Sequence, residues 1–435
     1  MTHFIKYTCK FIACLVLINI SFSIQAQENW AAYSKKIDVK PYIGKNFRFK
    51  TKIKTSATAD SAAARLWVRI DMTTGYNFFD NMQKRPVRSV EWKEVSIEGK
   101  INEKSEYAVV GALCEFNGKF YYDDLLFEIE NSPNNWTALY ANNFEKNNDD
   151  LQAGIFIKDY GINTHFKKSI TTQNTNHCLM IEGSGIIAYG HNKETGHFAE
   201  VNGIKLYYEI YGNGQPLLVL HGNGGSIENA SPFYPDLIKH YQVIAIDSRA
   251  QGNSTDTNEP LTYDKMTSDI NELLTQLHID STYVWGQSDG AILGILLAKD
   301  YPKKVKKVLA FGSNMQPDSM AIFKWDIIAT QHICEKSKDQ TEVKLNRMML
   351  DYPNVPYTEL KKIKAPVLIM QGDRDVIRPE HSLKLFQHIP NSQLCILPGT
   401  THGACWEKQT MFLSILHEFF DKPFTMPDSK EIYGE

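Results

Sequence analysis

The chain has 435 residues, which is long enough for two or three domains of ordinary size. Its 47 basic residues nearly balance its 50 acidic residues, and a net charge of −3 argues against nucleic acid or an anionic membrane as the partner. Apolar residues make up 43% of the chain and aromatic residues 11%, which excludes an intrinsically disordered protein and favours a globular one.

Residues 1–26 have the pattern of a secretory signal peptide. Lys6 and Lys10 precede an apolar run over residues 11–20, and small and polar residues then lead to Ala26, after which we expect cleavage. The apolar run is too short to predict a retained membrane-spanning anchor. We therefore expect a mature protein that is secreted or periplasmic, without a stable membrane span.

The cysteines predict neither lipidation nor a disulfide framework. Cys14 lies where a lipoprotein cysteine would, but Phe11 fits poorly among the residues that precede such a cysteine. Export implies an oxidising compartment. The cysteines left after cleavage are odd in number and lack zinc-like spacing: Cys114, Cys178, Cys334, Cys395 and Cys405. We expect them to be small apolar side chains in the interior.

Residues 27–186 predict a β-sandwich. The stretch 47–54 alternates strictly, with Phe47, Phe49 and Ile53 on one side and basic residues on the other, as in a strand with one buried face. Further strand-like runs follow, separated by clusters of Asn, Gly, Pro and Asp, over residues 66–70, 91–98, 107–116 and 120–129. Short, regularly spaced strands with almost no helical periodicity are typical of two packed sheets.

Four segments of this region resemble a galactose-binding-like jelly-roll module: Ala64–Asp71, Phe79–Pro86, the strand that contains Glu91 and Trp92, and Tyr121–Asp124. Such modules are appended to various secreted bacterial hydrolases. The resemblance covers residues 42–130, and residues 140–182 resemble the opening strands of the same module. It implies a carbohydrate or surface ligand for this part of the chain.

The residues of this module do not by themselves predict sugar binding. Aromatic side chains such as Trp67, Phe79 and Trp92 are more typical of a core than of a ligand platform.

A glycine-rich join over residues 187–197 precedes a second domain, which we place at residues 198–425 and which a tail over residues 426–435 follows. Continuous apolar runs, typical of strands buried on both faces, occupy residues 216–220, 243–246, 282–285, 305–311, 367–370 and 393–397. Helical stretches alternate with these runs. The alternation predicts a mostly parallel, doubly wound α/β sheet.

The segment Gly286–Gly290 has the pattern G-x-S-x-G between a strand-like run and an apolar helical run. A serine on such a sharp turn has its hydroxyl pushed clear of the sheet, so Ser288 is the candidate nucleophile. The alternative is a glycine-rich turn in which Ser288 only caps the helix. The helix that follows would bring the N–H of Asp289 beside the serine, where it can meet an oxyanion.

Three further positions complete a candidate site around this serine. The loop His221–Gly225 follows a buried strand and can aim the N–H of Asn223 at an oxyanion. Asp375 follows another strand and is the candidate for orienting a histidine, whereas Asp373 could instead cap the turn. His402 lies in the loop after the last strand and is the candidate general base.

The chain order Ser288, Asp375, His402 is that of the α/β-hydrolase fold, and residues 198–425 are similar to that superfamily. The resemblance rests on the segments already named and on Asp247–Ser254, in which Ala250 stands where glycine is usual. It implies a helical cap over the active site, which we place at about residues 314–360. We interpret Asp247 and Arg249 as structural.

These observations predict an exported serine hydrolase that cleaves a small or medium ester through an acyl-enzyme, with no metal and no organic cofactor. A peptide N-terminus or a lactone would suit the same site. A secreted binding protein with an inert hydrolase domain is the alternative from another class. The natural substrate, the oligomeric state and the fine specificity of the cap do not follow from the sequence.

Overall fold

A computed structural model describes residues 29–57, 62–146, 148–158, 165–173 and 175–434. The predicted signal peptide, its cleavage point and Cys14 lie outside the described residues. Among the helices that are described, none is both long and apolar enough to cross a membrane.

The first part of the chain forms two antiparallel sheets, as predicted for a β-sandwich. One sheet has the order β4-β3-β6-β1-β9, and the other has the order β10-β11-β7-β2-β5, with β8 beside β7. A short helix, α1 (Asn148–Gln152), precedes β9. The strands are β1 (Trp30–Asp38), β2 (Asn46–Ala57), β3 (Ala63–Asp71), β4 (Tyr76–Asp80), β5 (Lys93–Lys100), β6 (Tyr107–Glu115), β7 (Gly118–Ser132), β8 (Asn135–Asn142), β9 (Ile155–Lys158), β10 (Phe166–Gln173) and β11 (Asn176–Gly183).

The alternation predicted for β2 is confirmed, because Phe47, Phe49 and Ile53 are fully buried between the sheets. Trp67 is also buried, as expected of a core residue. The expectation is wrong for Phe79, which is 49% exposed. The reason is the alternation of β4, which lies at the edge of its sheet: Phe78 packs against Phe47 of the core, so the next residue, Phe79, points to the opposite face.

The second part contains an eight-stranded sheet of order β12-β13-β15-β14-β16-β17-β18-β19. Its first two strands are antiparallel, and the rest, from β15 to β19, are parallel, which agrees with the predicted α/β sheet. The strands are β12 (Gly196–Val201), β13 (Ile204–Tyr211), β14 (Gln215–Leu220), β15 (Tyr241–Ile246), β16 (Thr282–Gln287), β17 (Val305–Phe311), β18 (Val367–Gly372) and β19 (Ser392–Leu397).

Helices lie between these strands and after the last of them. They are α2 (Tyr234–Leu237), α3 (Tyr263–Gln276), α4 (Asp289–Asp300), α5 (Lys324–Lys336), α6 (Gln340–Asp351), α7 (Tyr357–Leu360), α8 (Pro379–His388), α9 (Ala404–Glu407), α10 (Gln409–Asp421) and α11 (Ser429–Tyr433). Helices α5, α6 and α7 fall within the segment predicted as a cap. The central helix α4 is apolar on all sides because it is buried against the sheet.

All five cysteines of the described chain are free thiols. Cys114, Cys178 and Cys405 are buried, as predicted, whereas Cys334 and Cys395 are partly exposed.

The join between the two parts is packed on both sides. Ile186 and Ala188 belong to the core of the sandwich, whereas Tyr189 is buried in the core of the α/β part. The ring of Tyr189 lies 5.0 Å from that of Tyr211 and 4.7 Å from that of Tyr234. Tyr189, near the start of the predicted linker, is therefore an integral part of the second core.

A buried carboxylate fixes the same join. Glu209 on β13 is fully buried and accepts hydrogen bonds from the backbone N–H groups of Gly190, at 2.7 Å, and Asn192, at 2.9 Å. The hydroxyls of Tyr207 and Tyr211 donate to its two oxygens. A buried carboxylate is tolerated only with such hydrogen-bond donors. The join supplies two of the four donors to Glu209.

We therefore predict different stabilities for two fragments that lack the sandwich. A fragment that begins at Ser184 keeps Tyr189 and both backbone donors to Glu209, and it should unfold cooperatively. A fragment that begins at Gly196 should lose about 3–5 kcal/mol of unfolding free energy, comparable to deletion of a buried aromatic side chain, or fail to fold. Urea unfolding followed by tryptophan fluorescence measures both. Equal stabilities would show that the join contributes nothing.

Candidate active site

Ser288 lies on a strained turn between β16 and α4, with φ of 54° and ψ of −119°. Positive φ at a residue other than glycine costs of order 1–3 kcal/mol and is concentrated at functional sites. The turn needs both flanking glycines. A Cβ on Gly286 would lie 2.1 Å from the carbonyl oxygen of Gly290, and a Cβ on Gly290 would lie 2.2 Å from that of Leu220. The pattern G-x-S-x-G is thus a steric requirement of this turn.

The loop after β14 passes directly against this serine. A Cβ on Gly222 would lie 3.1 Å from the Cβ of Ser288 and 2.5 Å from the side-chain oxygen of Gln287. The buried ring of His221 ties the loop down, since its Nε2 accepts the N–H of Ser248 at 2.9 Å. Burial lowers the pKa of His221, which keeps this ring neutral and able to accept.

Both predicted oxyanion donors border the turn, and the side chain of Asp289 connects them. Its two carboxylate oxygens accept from Asn223 Nδ2 at 2.9 Å and from the hydroxyl of Tyr263 at 2.8 Å. Within the described chain, the backbone N–H groups of Asn223 and Asp289 have no hydrogen-bond acceptor. Two free N–H groups beside one serine are the arrangement that an oxyanion requires. The hydrogen bond between the side chains of Asn223 and Asp289 was not evident from the sequence.

The structure joins Asp375 to His402. Nδ1 of His402 lies 2.6 Å from Oδ1 of Asp375. The carboxylate is buried, and the backbone N–H groups of Ile377 and Gly372 donate to it at 3.0 and 3.4 Å. With Nδ1 hydrogen-bonded in this way, Nε2 of the ring is left as the atom that can take a proton.

Asp373 has the other role that the sequence allowed. Its Oδ1 accepts the backbone N–H of Thr400 at 3.1 Å. Hydrogen bonds from the backbone of Gly399 and Thr400 lower the pKa of this carboxyl. Asp373 therefore caps the loop that carries His402, and does not contact the ring.

Ser288 and His402 line one cavity beneath the cap, with a volume of about 50 Å³. This is well below the roughly 300–1,000 Å³ of sites for drug-sized ligands. Its other lining residues are Tyr263, Asp289, Asn314, Pro317, Ile322, Asp326, Ile327, Thr330, Met349, Leu350, Val376 and Ile377. The space beside the serine suits a small acyl group or requires the cap to move for a larger one.

The position of the His402 ring depends on the space left by a glycine that the sequence analysis did not identify. Gly312 follows β17 with φ of +63°, and a Cβ there would lie 2.6 Å from Cε1 of His402. Any larger residue would therefore push the imidazole out of its position. Only the three-dimensional approach of two distant loops reveals this requirement.

Asp326 is a second residue that the sequence analysis missed. It lies in the first turn of α5 and lines the cavity, and burial raises the pKa of its carboxyl. No hydrogen bond or ion pair of its carboxylate is found within the described residues. An acidic residue in the first turn of a helix usually only interacts favourably with the helix dipole. The position of Asp326 in the sequence therefore did not indicate that it lines the cavity.

The carboxylates around His402 favour its protonated, positively charged form. Burial of the ring disfavours the imidazolium, but the hydrogen bond to Asp375 and the charges of Asp375, Asp326 and Asp289 outweigh burial and raise the pKa of His402.

Comparison with known proteins bears on the fold of the second part of the chain. Residues 215–333 match the model of the alpha/beta hydrolase fold family. This part of the chain has the α/β-hydrolase fold. The serine hydrolase BPHL of Mus musculus is 25% identical over an alignment of 246 residues, which covers 50% of this chain and 84% of that protein. The non-heme chloroperoxidase CPO-A1 of Kitasatospora aureofaciens is 24% identical over an alignment of 249 residues, which covers 46% of this chain and 90% of that protein.

Among solved structures, the enol-lactonase from Burkholderia xenovorans LB400 is similar with a TM-score of 0.47 and 19% identity, over 52% of this chain and 100% of that one. Taken together, the family match and the sequence relatives of this α/β-hydrolase fold indicate a hydrolase.

We predict that Asp326→Asn lowers the pKa of His402, because it removes a negative charge that favours the imidazolium. The proton should therefore leave the ring at lower pH than in the parent protein. An NMR titration of the histidine ring signals measures this. Glu335→Gln, an equal charge change at an exposed position of the same helix, should leave the pKa of His402 unchanged. A pKa that stays constant or rises in Asp326→Asn would contradict the assignment.

Proposed function

We propose that this chain is an exported serine hydrolase that cleaves a small carboxylic ester through an acyl-enzyme. The observation that carries the proposal is the 2.6 Å contact of Asp375 with His402, whose ring lines the same cavity as Ser288. Nucleophile, base and orienting acid, each on a separate strand end of one sheet, are the parts that acyl transfer needs.

In the proposed mechanism, Nε2 of His402 takes the proton of the Ser288 hydroxyl as its oxygen attacks the ester carbonyl carbon. The negative charge that forms on the carbonyl oxygen is held by the N–H groups of Asn223 and Asp289. The imidazolium then gives its proton to the leaving alcohol, and the acyl group stays on Ser288. Asp375 stabilises the imidazolium and fixes the tautomer throughout.

Deacylation repeats these steps with water. His402 removes a proton from the water as it attacks the acyl carbon, and then returns the proton to Ser288. Because the base must be neutral to act, activity should fall as pH drops through the raised pKa of His402.

Two features support a small substrate with an apolar acyl part. The cavity is about 50 Å³, and Ile327, Met349 and Leu350 of the cap line it. A larger ester would have to displace the cap helices. The same site would accept a lactone or a peptide N-terminus, since both present a carbonyl to the serine.

We also propose that the sandwich is a jelly-roll module that directs the exported enzyme to a carbohydrate or another surface ligand. Its two antiparallel sheets support this interpretation. So does the exposed pair of Tyr76 and Phe79, whose rings lie 5.8 Å apart at the rim. Export itself rests on the pattern of residues 1–26.

The proposal predicts the effects of single substitutions on hydrolysis of a chromogenic acetate ester. Ser288→Ala should lower kcat by about 10⁶-fold, because the residues of such a site act as a unit. Asp375→Asn should lower it by about 10⁴-fold, because the imidazole would adopt the wrong tautomer. Steady-state kinetics on purified variants measure both losses.

Asp373→Asn is the matched control, since it makes the same change two residues away and should leave kcat within a few-fold of the parent. A greater loss in Asp373→Asn than in Asp375→Asn would overturn the choice of acid. Undiminished hydrolysis by Ser288→Ala would overturn the mechanism.

A further inference from the structure

Two pairs of polar residues face each other far from the catalytic sequence motifs. Asp236 is in α2 and His240 lies four residues later on the tight turn that continues this helix. His417 and Asp421 are likewise four residues apart at the end of α10. A spacing of four puts two side chains on the same side of a helical turn. The ligand atoms of Asp236, His240 and His417 all lie within 4.8 Å of one another.

The hydrogen bonds of Tyr241 fix the protonation of His417. Its hydroxyl lies 2.6 Å from Oδ1 of Asp421 and must donate there, because an ionised carboxylate only accepts. Having given its one proton away, the hydroxyl oxygen accepts from Nδ1 of His417 at 3.0 Å. Nδ1 of His417 therefore carries a proton.

The other nitrogen of the same ring then faces a carboxylate. Nε2 of His417 lies 2.6 Å from Oδ1 of Asp236. In a neutral imidazole with its proton on Nδ1, Nε2 presents a lone pair, which would repel the carboxylate oxygen. At 2.6 Å the two atoms are at the distance of a hydrogen bond, so one proton lies between them in this arrangement, and a metal ion would take the place of that proton.

We propose that Asp236, His240 and His417 bind a divalent transition-metal ion, with Zn²⁺ as the best match. Two imidazoles and one carboxylate with a fourth position open to water is a ligand set that Zn²⁺ takes in proteins. Its bond lengths of about 2.0–2.2 Å separate tetrahedral ligands by roughly 3.3 Å. The three ligand atoms now lie within 4.8 Å of one another, and binding requires Nε2 of His417 and Oδ1 of Asp236 to move apart from 2.6 Å to that spacing.

The surroundings of His417 are those of a metal-bound histidine. Its Nδ1–H donates to Tyr241, which in turn donates to Asp421, and such chains behind a ligand fix the ring and increase its basicity. The rings of Tyr241 and His417 are nearly parallel, with 12° between their planes. This chain of hydrogen bonds orients Nε2 toward Asp236.

His240 distinguishes a metal site from a simple ion pair. Its ring centroid lies 4.6 Å from that of His417, yet within the described chain its imidazole makes no hydrogen bond. An ion pair between Asp236 and His417 would leave His240 without a role. The side chain is exposed, whereas Asp236 is buried, so the ion would enter from the His240 side. Once bound, it would connect the turn before β15 to helix α10.

The test is a Zn²⁺ titration of the whole protein, purified without a histidine tag, stripped with a chelator and then freed of it. Competition with a chromogenic zinc indicator measures stoichiometry and affinity. We expect one Zn²⁺ per chain, visible d–d absorption of a four-coordinate site with Co²⁺, and a higher unfolding temperature with Zn²⁺ than with chelator. Tyr241→Phe removes the hydroxyl that accepts from Nδ1 of His417, and it should weaken binding by about 10–100-fold.

His240→Gln should abolish this Zn²⁺ and its effect on the unfolding temperature, while its unfolding temperature in chelator stays that of the parent. His197→Gln, at another exposed histidine beside a tyrosine ring, is the matched control and should bind as the parent does. Asp236→Asn should also lose the ion. The proposal is overturned if the parent binds no Zn²⁺, or if His240→Gln binds it as tightly as the parent. Either outcome would leave a proton between His417 and Asp236.

Discussion

The close approach of backbone segments around Ser288 is the constraint on which the candidate site depends. The strained turn exists only because Gly286 and Gly290 leave no side chain between β16, α4 and the end of β14. Gly222 lets the next loop touch the serine, and Gly312 lets the ring of His402 lie against the end of β17. These four glycines therefore let segments that follow different strands approach one another closely at one edge of the sheet. The strain at Ser288 is held by the packing of the surrounding core.

The sequence predicted those parts of the site that are encoded locally at strand ends. Ser288, Asp375 and His402 each follow a recognisable apolar strand, and the sheet brings the carboxyl ends of parallel strands to one edge. The choice between Asp373 and Asp375 was harder, since both follow β18. The structure separates them by what each carboxylate contacts: the ring of His402 for Asp375, and the backbone of the loop for Asp373.

Other features depended on contacts between distant segments and could not be predicted. Asp326 belongs to a cap helix whose position over the cavity is set by packing, so its effect on the pKa of His402 had no local signal. The cluster of Asp236, His240 and His417 joins residues nearly two hundred positions apart. In the sandwich, alternation identified the buried face of β2, but it did not reveal that β4 is an edge strand with Phe79 exposed.

Labelling with a fluorophosphonate, followed by peptide mass analysis, tests the proposed chemistry most directly. Such a reagent phosphonylates only a serine whose hydroxyl has been activated by a neighbouring base. The account predicts one label per chain, on the peptide that contains Ser288, and loss of labelling in His402→Gln even though the serine is still present. Labelling of another residue, or ester hydrolysis that continues after Ser288 has been fully labelled, would contradict it.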